Sequence, residues 1–141
     1  SIILNKGSKD NVKIGMAIVD NSYLVGKVIE VNYTNSRALL LSDLNSKIPV
    51  LLEPLDVHAV ASGTGKNYGV IEYTKDDYDQ KIKGKEIIVY TSGYGGLFKP
   101  GLPVGKIIYD NTINDNIINF FSDFRQLDYV KIVSYDIGSG N

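Results

Sequence analysis

Residues 91–105, TSGYGGLFKPGLPVG, decide between two classes of fold, because a glycine-rich loop can cradle a phosphate or let a β-chain turn sharply. The stretch holds five of the fourteen glycines and two of the four prolines in the 141-residue chain. Gly93 and Gly95 fit the dinucleotide pattern G-x-G-x-x-G, but Phe98 stands at its third glycine position. The prolines that follow prevent the helix that a phosphate loop needs. The stretch therefore predicts a structural corner between β-strands.

A second glycine-rich stretch, GTGK at 63–66, has part of a P-loop pattern. Val60 stands where that pattern needs its first glycine, and Asn67 stands where it needs Ser or Thr. This stretch also predicts a turn between strands, so neither glycine-rich segment indicates a nucleotide site.

The composition excludes several classes of function. A net charge of −1 leaves no basic excess to neutralise a nucleic-acid backbone, so we predict no nucleic-acid partner. The chain has no cysteine and one histidine, His58, which excludes disulfides, thiol chemistry and a zinc site built on histidines. No run of about 18 apolar residues is present. We predict no metal and no cofactor.

Short bursts of β-branched and aromatic residues, separated by Gly, Asn, Asp and Pro, predict an all-β fold. The spacing of the bursts, mostly 8 to 14 residues, is typical of a β-barrel or sandwich. No window has a sustained helical period, and residues 124–128 allow one helical turn at most. The predicted strands are 16–19, 23–31, 36–41, 48–52, 58–62, 69–73, 86–90, 104–109, 117–124 and 129–133.

Three local patterns add detail to this prediction. Val130 and Ile132 alternate with charged Lys131, so we expect both to face a core. Residues 20–22, Asp-Asn-Ser, predict a tight hairpin turn. Pro49 lies within an apolar burst and predicts an edge or bulged strand, because proline cannot donate to a β-ladder.

Residues 13–31, KIGMAIVDNSYLVGKVIEV, and 82–109, IKGKEIIVYTSGYGGLFKPGLPVGKIIY, predict an internal repeat. Aligning their first glycines matches Ile18 with Ile87, and the later V-G-K-V-I matches V-G-K-I-I. The glycines that flank the shared pattern lie 11 residues apart in the first copy and 21 in the second. Two related β-modules follow from this, the second with a turn about ten residues longer.

A catalytic triad that uses His58 is the enzyme alternative. It would need an acidic orienter and a serine nucleophile, for which the candidates are Asp43, Asp56, Glu53, Ser62 and Ser92. Neither serine lies in a G-x-S-x-G or G-D-S-G stretch. His58 lies in an apolar burst, where a partly buried structural histidine is the commoner case. We predict no catalytic residue and keep a small serine-protease-like hydrolase as the alternative.

Two further sets of residues each have a structural and a functional interpretation. Asp76, Asp77 and Asp79 form a carboxylate cluster without the glycine and distant glutamate of an EF-hand, which favours an exposed loop. Tyr94, Leu97 and Phe98 are bulky apolar residues on a Gly/Pro loop, where burial is hard to arrange. They either fill their own barrel or contact a partner's surface.

Five stretches together resemble the extracytoplasmic β-domain of the MreC family, the bacterial rod-shape-determining proteins. These stretches are GMAIVDNSYLVGKVIEV (15–31), NSRALLLSDLNSKIPV (35–50), SGTG (62–65), TSGYGGLFKPGLPVGKII (91–108) and FRQLDYVKIV (124–133). The resemblance covers nearly the whole chain in order. Lys99 and Leu44 stand where family members often have proline, and residues 53–56, Glu-Pro-Leu-Asp, replace a common Ser-Gly turn.

The resemblance implies two small β-barrels with a protease-like shape and no active site. We place the first at 1–65 and the second at 66–141, and leave open whether the last strand returns to the first barrel. The resemblance further implies a non-enzymatic scaffold of cell elongation. This scaffold would lie on the periplasmic or extracytoplasmic face of the membrane, anchored by an upstream helix. The implied partners are a class B penicillin-binding transpeptidase, MreD, RodZ, MreB and further copies of the chain. Four residues are predicted to contact a partner: Tyr94, Leu97, Phe98 and Pro100.

Overall fold

A computed structural model describes residues 1–72, 84–94, 98–127 and 130–134. Within these ranges eleven β-strands form two antiparallel sheets, and a 3-10 turn lies at Ser8–Asp10. The all-β prediction is confirmed. The 3-10 turn was not predicted. Where a helical turn was predicted at 124–128, the structure has a single turn, in which Gln126 N–H donates to the Asp123 carbonyl at 3.1 Å.

The first sheet has five strands in the order β1-β4-β3-β2-β11 and forms a half-barrel. Its strands are β1 (Ile2–Leu4), β2 (Ala17–Asp20), β3 (Tyr23–Val31), β4 (Ser36–Leu40) and β11 (Lys131–Val133). Ile18, Val25 and Val28 are fully buried on its inner face. Val130 and Ile132 pack against this cluster while Lys131 is exposed, as the alternation predicts.

The second sheet is a closed barrel in the order β10-β7-β6-β5-β8-β9. Its strands are β5 (Lys47–Glu53), β6 (Val57–Gly63), β7 (Gly69–Glu72), β8 (Ile88–Thr91), β9 (Pro103–Asp110) and β10 (Asp115–Phe120). The barrel is filled by side chains that point inward from alternate positions, such as Val50 and Leu52 on β5.

Strand pairing divides the chain differently from the predicted boundary at 65/66. β5 and β6 precede that boundary, yet they pair with β7 and β8 of the second barrel. The change of sheet therefore falls between Leu40 and Lys47. β11 pairs with β2, so the last described strand lies in the first sheet. The division into separate folding units stays a prediction.

Two local predictions have different outcomes. The turn at 20–22 is confirmed: β2 and β3 are joined by Asn21 and Ser22, both with positive φ, as in a two-residue hairpin. The prediction that Pro49 lies on an edge or bulged strand is wrong, because β5 lies between β6 and β8 and its pairing with neither shows a register shift. Pro49 is tolerated because pairing with β8 begins only at Val50, so its missing N–H falls where that ladder ends.

The internal repeat is present in the strand register. Ile18 lies opposite Gly26 in the β2–β3 hairpin, and Val89 lies opposite Gly105 in the β8–β9 hairpin. A register shift follows directly after each of these pairs. The structural counterpart of Ile18 is thus Val89, two residues later than the sequence alignment placed it.

The third strand of each module repeats the same pairing. Gly26 pairs with Leu40 of β4, and Gly105 pairs with Phe120 of β10. Equivalent hydrogen bonds follow, from Leu41 N–H to the Val25 carbonyl at 2.9 Å and from Phe121 N–H to the Val104 carbonyl at 3.1 Å. The strands β2-β3-β4 and β8-β9-β10 are therefore two copies of one module.

The two sheets share a core. Four buried residues of the first sheet and its following loop belong to the same apolar cluster as the barrel interior: Ala17, Val19, Leu24 and Leu41. At the rim of this contact the rings of Tyr23 and Phe121 lie 5.1 Å apart, and Ser122 Oγ donates to the Leu24 carbonyl at 3.2 Å. These contacts fix one sheet against the other.

Candidate partner-binding surface

The loop between β8 and β9 is held at its base by Thr91, a buried residue. Its Oγ1 donates to the Lys99 carbonyl at 2.7 Å and accepts from Leu102 N–H at 2.9 Å. Its backbone N–H donates to the Leu102 carbonyl, and its carbonyl accepts from Gly101 N–H, both at 2.9 Å. Four hydrogen bonds at one residue make this a defined corner.

Glycines allow the loop to turn, as the sequence predicts. Gly93 and Gly101 have positive φ values of 75° and 86°, which favour glycine. A Cβ on Gly93 would lie only 3.0 Å from the Pro100 side chain, so the two arms of the loop pack closely. Tyr94 N–H donates to Ser92 Oγ at 3.1 Å, which fixes the backbone where the loop leaves the barrel.

The four predicted contact residues separate in the structure. Phe98 is 2% exposed and packs in the barrel core, so its contact with a partner stays a prediction that this burial does not favour. Its ring belongs to the apolar cluster that fills the second barrel. Tyr94 is 75% exposed, and Pro100 is also exposed. Leu97 lies outside the described residues.

The exposed part of this loop suits protein contact better than chemistry. A tyrosine brings a large amphipathic contact area at low entropic cost, and here its backbone is already fixed. Pro100 adds a rigid apolar neighbour. We define Tyr94 and Pro100 as the loop surface.

Several other large apolar side chains are also exposed, and the sequence did not single them out. Those more than half exposed are Ile3, Ile14, Tyr33, Leu44 and Tyr109. Isolated exposed apolar residues are normal on protein surfaces. No periodicity distinguishes them in sequence, and the loop surface differs from them by its anchored glycine-proline base.

The triad alternative finds no support in the geometry. His58 is exposed on β6 and lies opposite Leu51, not partly buried as expected. Ser62 is four residues along the same strand, about 13 Å away at the usual rise. Ser92 is two strands across and two residues along, roughly 12 Å away. Within the described residues, no hydrogen bond joins His58 to the candidate partners Asp43, Asp56, Glu53, Ser62 or Ser92.

Ser62 instead belongs to a polar network with Lys47 and Glu72. Ser62 Oγ donates to Glu72 Oε2 at 2.7 Å, and Lys47 Nζ donates to both, at 3.1 Å to Ser62 and 2.8 Å to Glu72. The hydrogen bond from Lys47 lowers the pKa of Glu72 most, and the hydrogen bond from Ser62 lowers it further. A carboxylate with a lowered pKa is a poor general base, which argues against a catalytic role for Glu72. The three side chains of the network come from β5, β6 and β7, so the network cross-links these strands.

Two features are absent from the part of the chain that the structure describes. It contains no group of three or more His, Asp and Glu side chains able to hold a metal ion. It also contains no helix long and apolar enough to span a membrane. The aspartate cluster at 76–79 lies outside the described residues.

Comparison with known proteins identifies the relatives of this chain. Residues 1–134 match the family model described as rod shape-determining protein MreC, barrel core. The cell shape-determining protein MreC of Haemophilus influenzae is 33% identical over 122 residues, which cover 86% of this chain and 33% of that protein. The MreC of Cereibacter sphaeroides is 30% identical over 135 residues, covering 94% of this chain and 43% of that protein. The chain thus spans less than half the length of these relatives.

Solved structures give the same result. The crystal structure of MreC from Pseudomonas aeruginosa has a TM-score of 0.75 at 30% identity and covers 94% of this chain and 88% of that one. A chain from the complex between the penicillin-binding protein PBP2 and MreC of Helicobacter pylori has a TM-score of 0.59 at 17% identity. It covers 81% of this chain and 73% of that one, and at this identity the likeness concerns the fold alone.

Proposed function

This chain belongs to the MreC family of cell shape-determining proteins, and we propose that it is a non-catalytic scaffold of cell elongation. In this role it binds a class B penicillin-binding transpeptidase and helps to activate it. It also associates with further copies of itself. The match to the MreC barrel core over residues 1–134 is the observation that carries the proposal.

Binding to a transpeptidase is supported by the fold relationship to the chain from the Helicobacter pylori complex. The loop surface offers this chain's own means of contact, since Tyr94 projects from a base that Thr91 holds in place. Aromatic residues in such positions are the usual centres of binding energy at protein interfaces. We therefore place the transpeptidase contact at this end of the second barrel.

Activation by a scaffold without catalytic residues works through the partner's conformational equilibrium. If the transpeptidase interconverts between an inactive and an active conformer, a scaffold that binds the active one more tightly raises its population. A shift from 1:99 to 99:1 needs about 10⁴-fold tighter binding to the active conformer. A more modest preference would still raise the rate measurably. No chemistry on the scaffold's side is required.

The remaining parts of the proposal concern the whole protein. By family membership we place this domain on the extracytoplasmic face of the membrane, in a protein anchored by an upstream helix. MreD, RodZ and MreB are the other proposed partners, with MreB reached through the cytoplasmic and membrane parts of the protein. We propose that these partners contact regions of the protein outside the barrel core as well as the core itself.

The proposal is tested with this domain and the extracytoplasmic part of the class B transpeptidase from the same organism. Calorimetric titration should give a dissociation constant tighter than about 100 μM, as for a transient interface. Adding the domain should raise peptide cross-linking by the transpeptidase. Sedimentation of the domain alone tests self-association separately. Absence of binding at 100 μM, with both proteins folded, would contradict the scaffold role.

A further inference from the structure

The segment between β1 and β2 concentrates positive charge on a chain that is otherwise acidic. Residues 5–16 contain three lysines and one aspartate, a net charge of +2, whereas the whole chain carries −1, so the other residues carry −3. Lys6, Lys9 and Lys13 are all exposed, and none of them forms an ion pair with another residue that the structure describes. The aspartate, Asp10, accepts a hydrogen bond from Gly7 N–H at 3.0 Å. Three solvated ammonium groups therefore dominate this segment.

Backbone contacts hold this segment against the turn between β3 and β4. Ser8 N–H donates to the Asn32 carbonyl at 2.8 Å, which joins the 3-10 turn to the β3–β4 turn. Lys9 N–H donates to the Tyr33 carbonyl at 3.1 Å. A Cβ on Gly7 would collide with the Asn32 carbonyl oxygen, so the two backbones lie in direct contact. The lysine side chains therefore project from a backbone that is fixed to the first sheet.

Two large apolar side chains are displayed at the same end of the first sheet. Tyr33, in the β3–β4 turn, is 71% exposed, and Ile14 is 70% exposed. Ile14 lies beside the last four residues of β3, because the next residue, Gly15, donates its N–H to the Val28 carbonyl at 2.8 Å. Both side chains thus neighbour the lysines. We define five residues as the basic surface: Lys6, Lys9, Lys13, Ile14 and Tyr33.

The composition of the basic surface matches the chemistry of an anionic lipid headgroup layer. Each lysine near such a layer strengthens binding about fivefold. Tyrosine rings favour the boundary between headgroups and acyl chains, and lysine stems are long enough to leave the ammonium group in water. Ile14 distinguishes a lipid layer from a soluble polyanion such as a nucleic acid, because only the lipid offers its exposed side chain an apolar environment.

We propose that the basic surface binds the anionic lipid surface of the membrane, an inference that rests on the extracytoplasmic placement in the proposed function. Three lysines give a weak contact by themselves. Attachment of the protein to the same membrane raises the effective concentration of that surface, so a weak contact is sufficient. The contact would hold one end of the first sheet against the membrane. The loop surface belongs to the second barrel, so a transpeptidase and the lipid would not compete for the same residues.

Fluorescence tests the proposal, because the chain has no tryptophan and a single one reports on its own surroundings. Tyr33→Trp should shift its emission to shorter wavelength with vesicles that contain phosphatidylglycerol, and not with vesicles of phosphatidylcholine alone. Salt at about 1 M, where the Debye length is about 3 Å, should reduce the shift. The matched control is Tyr94→Trp on the loop surface, which should not shift. No shift for Tyr33→Trp, an equal shift with both vesicle types, or a larger shift for Tyr94→Trp would overturn the proposal.

Charge reversal separates a specific surface from an effect of net charge. Replacing the three lysines of the basic surface by glutamate should weaken binding to the phosphatidylglycerol vesicles at least about tenfold. The matched control reverses three exposed lysines elsewhere, Lys66→Glu, Lys85→Glu and Lys99→Glu, and should bind as the unmodified chain does. Equal loss in both variants would contradict the proposal.

Titration with the extracytoplasmic part of the transpeptidase keeps this inference distinct from the scaffold role. The variant with the reversed basic surface should bind the transpeptidase as tightly as the wild-type domain does, which also shows that the variant is folded. Transpeptidase binding without any vesicle binding by the wild-type domain would overturn the lipid contact and leave the scaffold role intact. Vesicle binding without transpeptidase binding would do the reverse.

Discussion

Phe98 and Tyr94 lie four residues apart on the same loop and have opposite environments. Phe98 packs in the core of the second barrel, whereas Tyr94 is exposed to solvent. The loop is therefore held by one aromatic residue and displays another. This separation lets stability and binding be measured on different residues.

We predict that Phe98→Ala lowers the free energy of unfolding by about 3–5 kcal/mol, the usual cost of a large buried cavity. Tyr94→Ala should change it by less than about 0.5 kcal/mol, because an exposed side chain loses little packing. Urea unfolding of both variants checks this. Equal destabilisation by the two substitutions would show that the loop is organised differently.

Glu72 is the second residue with a distinct environment. Hydrogen bonds from Lys47 and Ser62 lower its pKa in the folded protein, so its contribution to stability is present above its unfolded pKa. That contribution is lost as the pH falls through the lowered folded pKa. The contribution of Glu72 to stability is small, because the Lys47–Glu72 ion pair is largely exposed and water screens it.

We predict that NMR titration places the carboxyl of Glu72 below the ordinary glutamate pKa of about 4.3. Lys47→Met should raise this pKa, since it removes the strongest hydrogen bond to the carboxylate. Lys27→Met is the control, because Lys27 lies in the other sheet, and it should leave the titration unchanged. A midpoint that Lys47→Met does not move would contradict the network.

At the scale of elements, the repeated hairpins depend on one glycine each. Gly26 and Gly105 stand at equivalent register positions beside the third strand of their modules. A Cβ would lie 2.1 Å from the Leu39 carbonyl oxygen at Gly26 and 2.6 Å from the Asn119 carbonyl oxygen at Gly105. Neither carbonyl can move without breaking a strand pair. The V-G-K pattern is therefore explained by close approach of backbone to backbone.

We predict that Gly26→Ala and Gly105→Ala each destabilise the fold by about 1–3 kcal/mol or more, the range for overpacked sites. The neighbouring Lys27→Ala should cost less than about 0.5 kcal/mol. Chemical denaturation of the three variants makes the comparison. If the glycine variants were as stable as Lys27→Ala, the two modules would not share this constraint.

The sequence predicts an element when the residues that determine it lie close together in the chain. Hairpins such as β2–β3 are local: their turn residues and alternation stand side by side in the chain, so they were predictable. β1 is three residues long and pairs with β4 across more than thirty residues, and no local pattern marks it. The change of sheet after Leu40 depends on long-range pairing in the same way. Burial of Phe98 could not be predicted because it depends on packing against residues that are distant in the chain.

At the scale of the whole molecule, the shared core joins the two sheets. Leu24 from the first sheet packs with the barrel interior, and Ser122 hydrogen-bonds to its carbonyl. We predict that both sheets unfold in a single transition, observed as coincident far-UV and near-UV circular dichroism curves. Leu24→Ala should shift both curves together. Two separate transitions would instead support independent units such as the predicted 1–65 and 66–141.

The central claim is that this domain binds a class B transpeptidase through the loop surface. The most direct measurement compares the dissociation constants of the wild-type domain, a Tyr94→Ala/Pro100→Ala variant and a Tyr33→Ala variant. Tyr33 is a matched control, because it is 71% exposed and precedes β4 in the first sheet. The account predicts at least about tenfold weaker binding for the loop variant, a loss of about 1.4 kcal/mol, and unchanged binding for the control. Equal binding by all three proteins would contradict it.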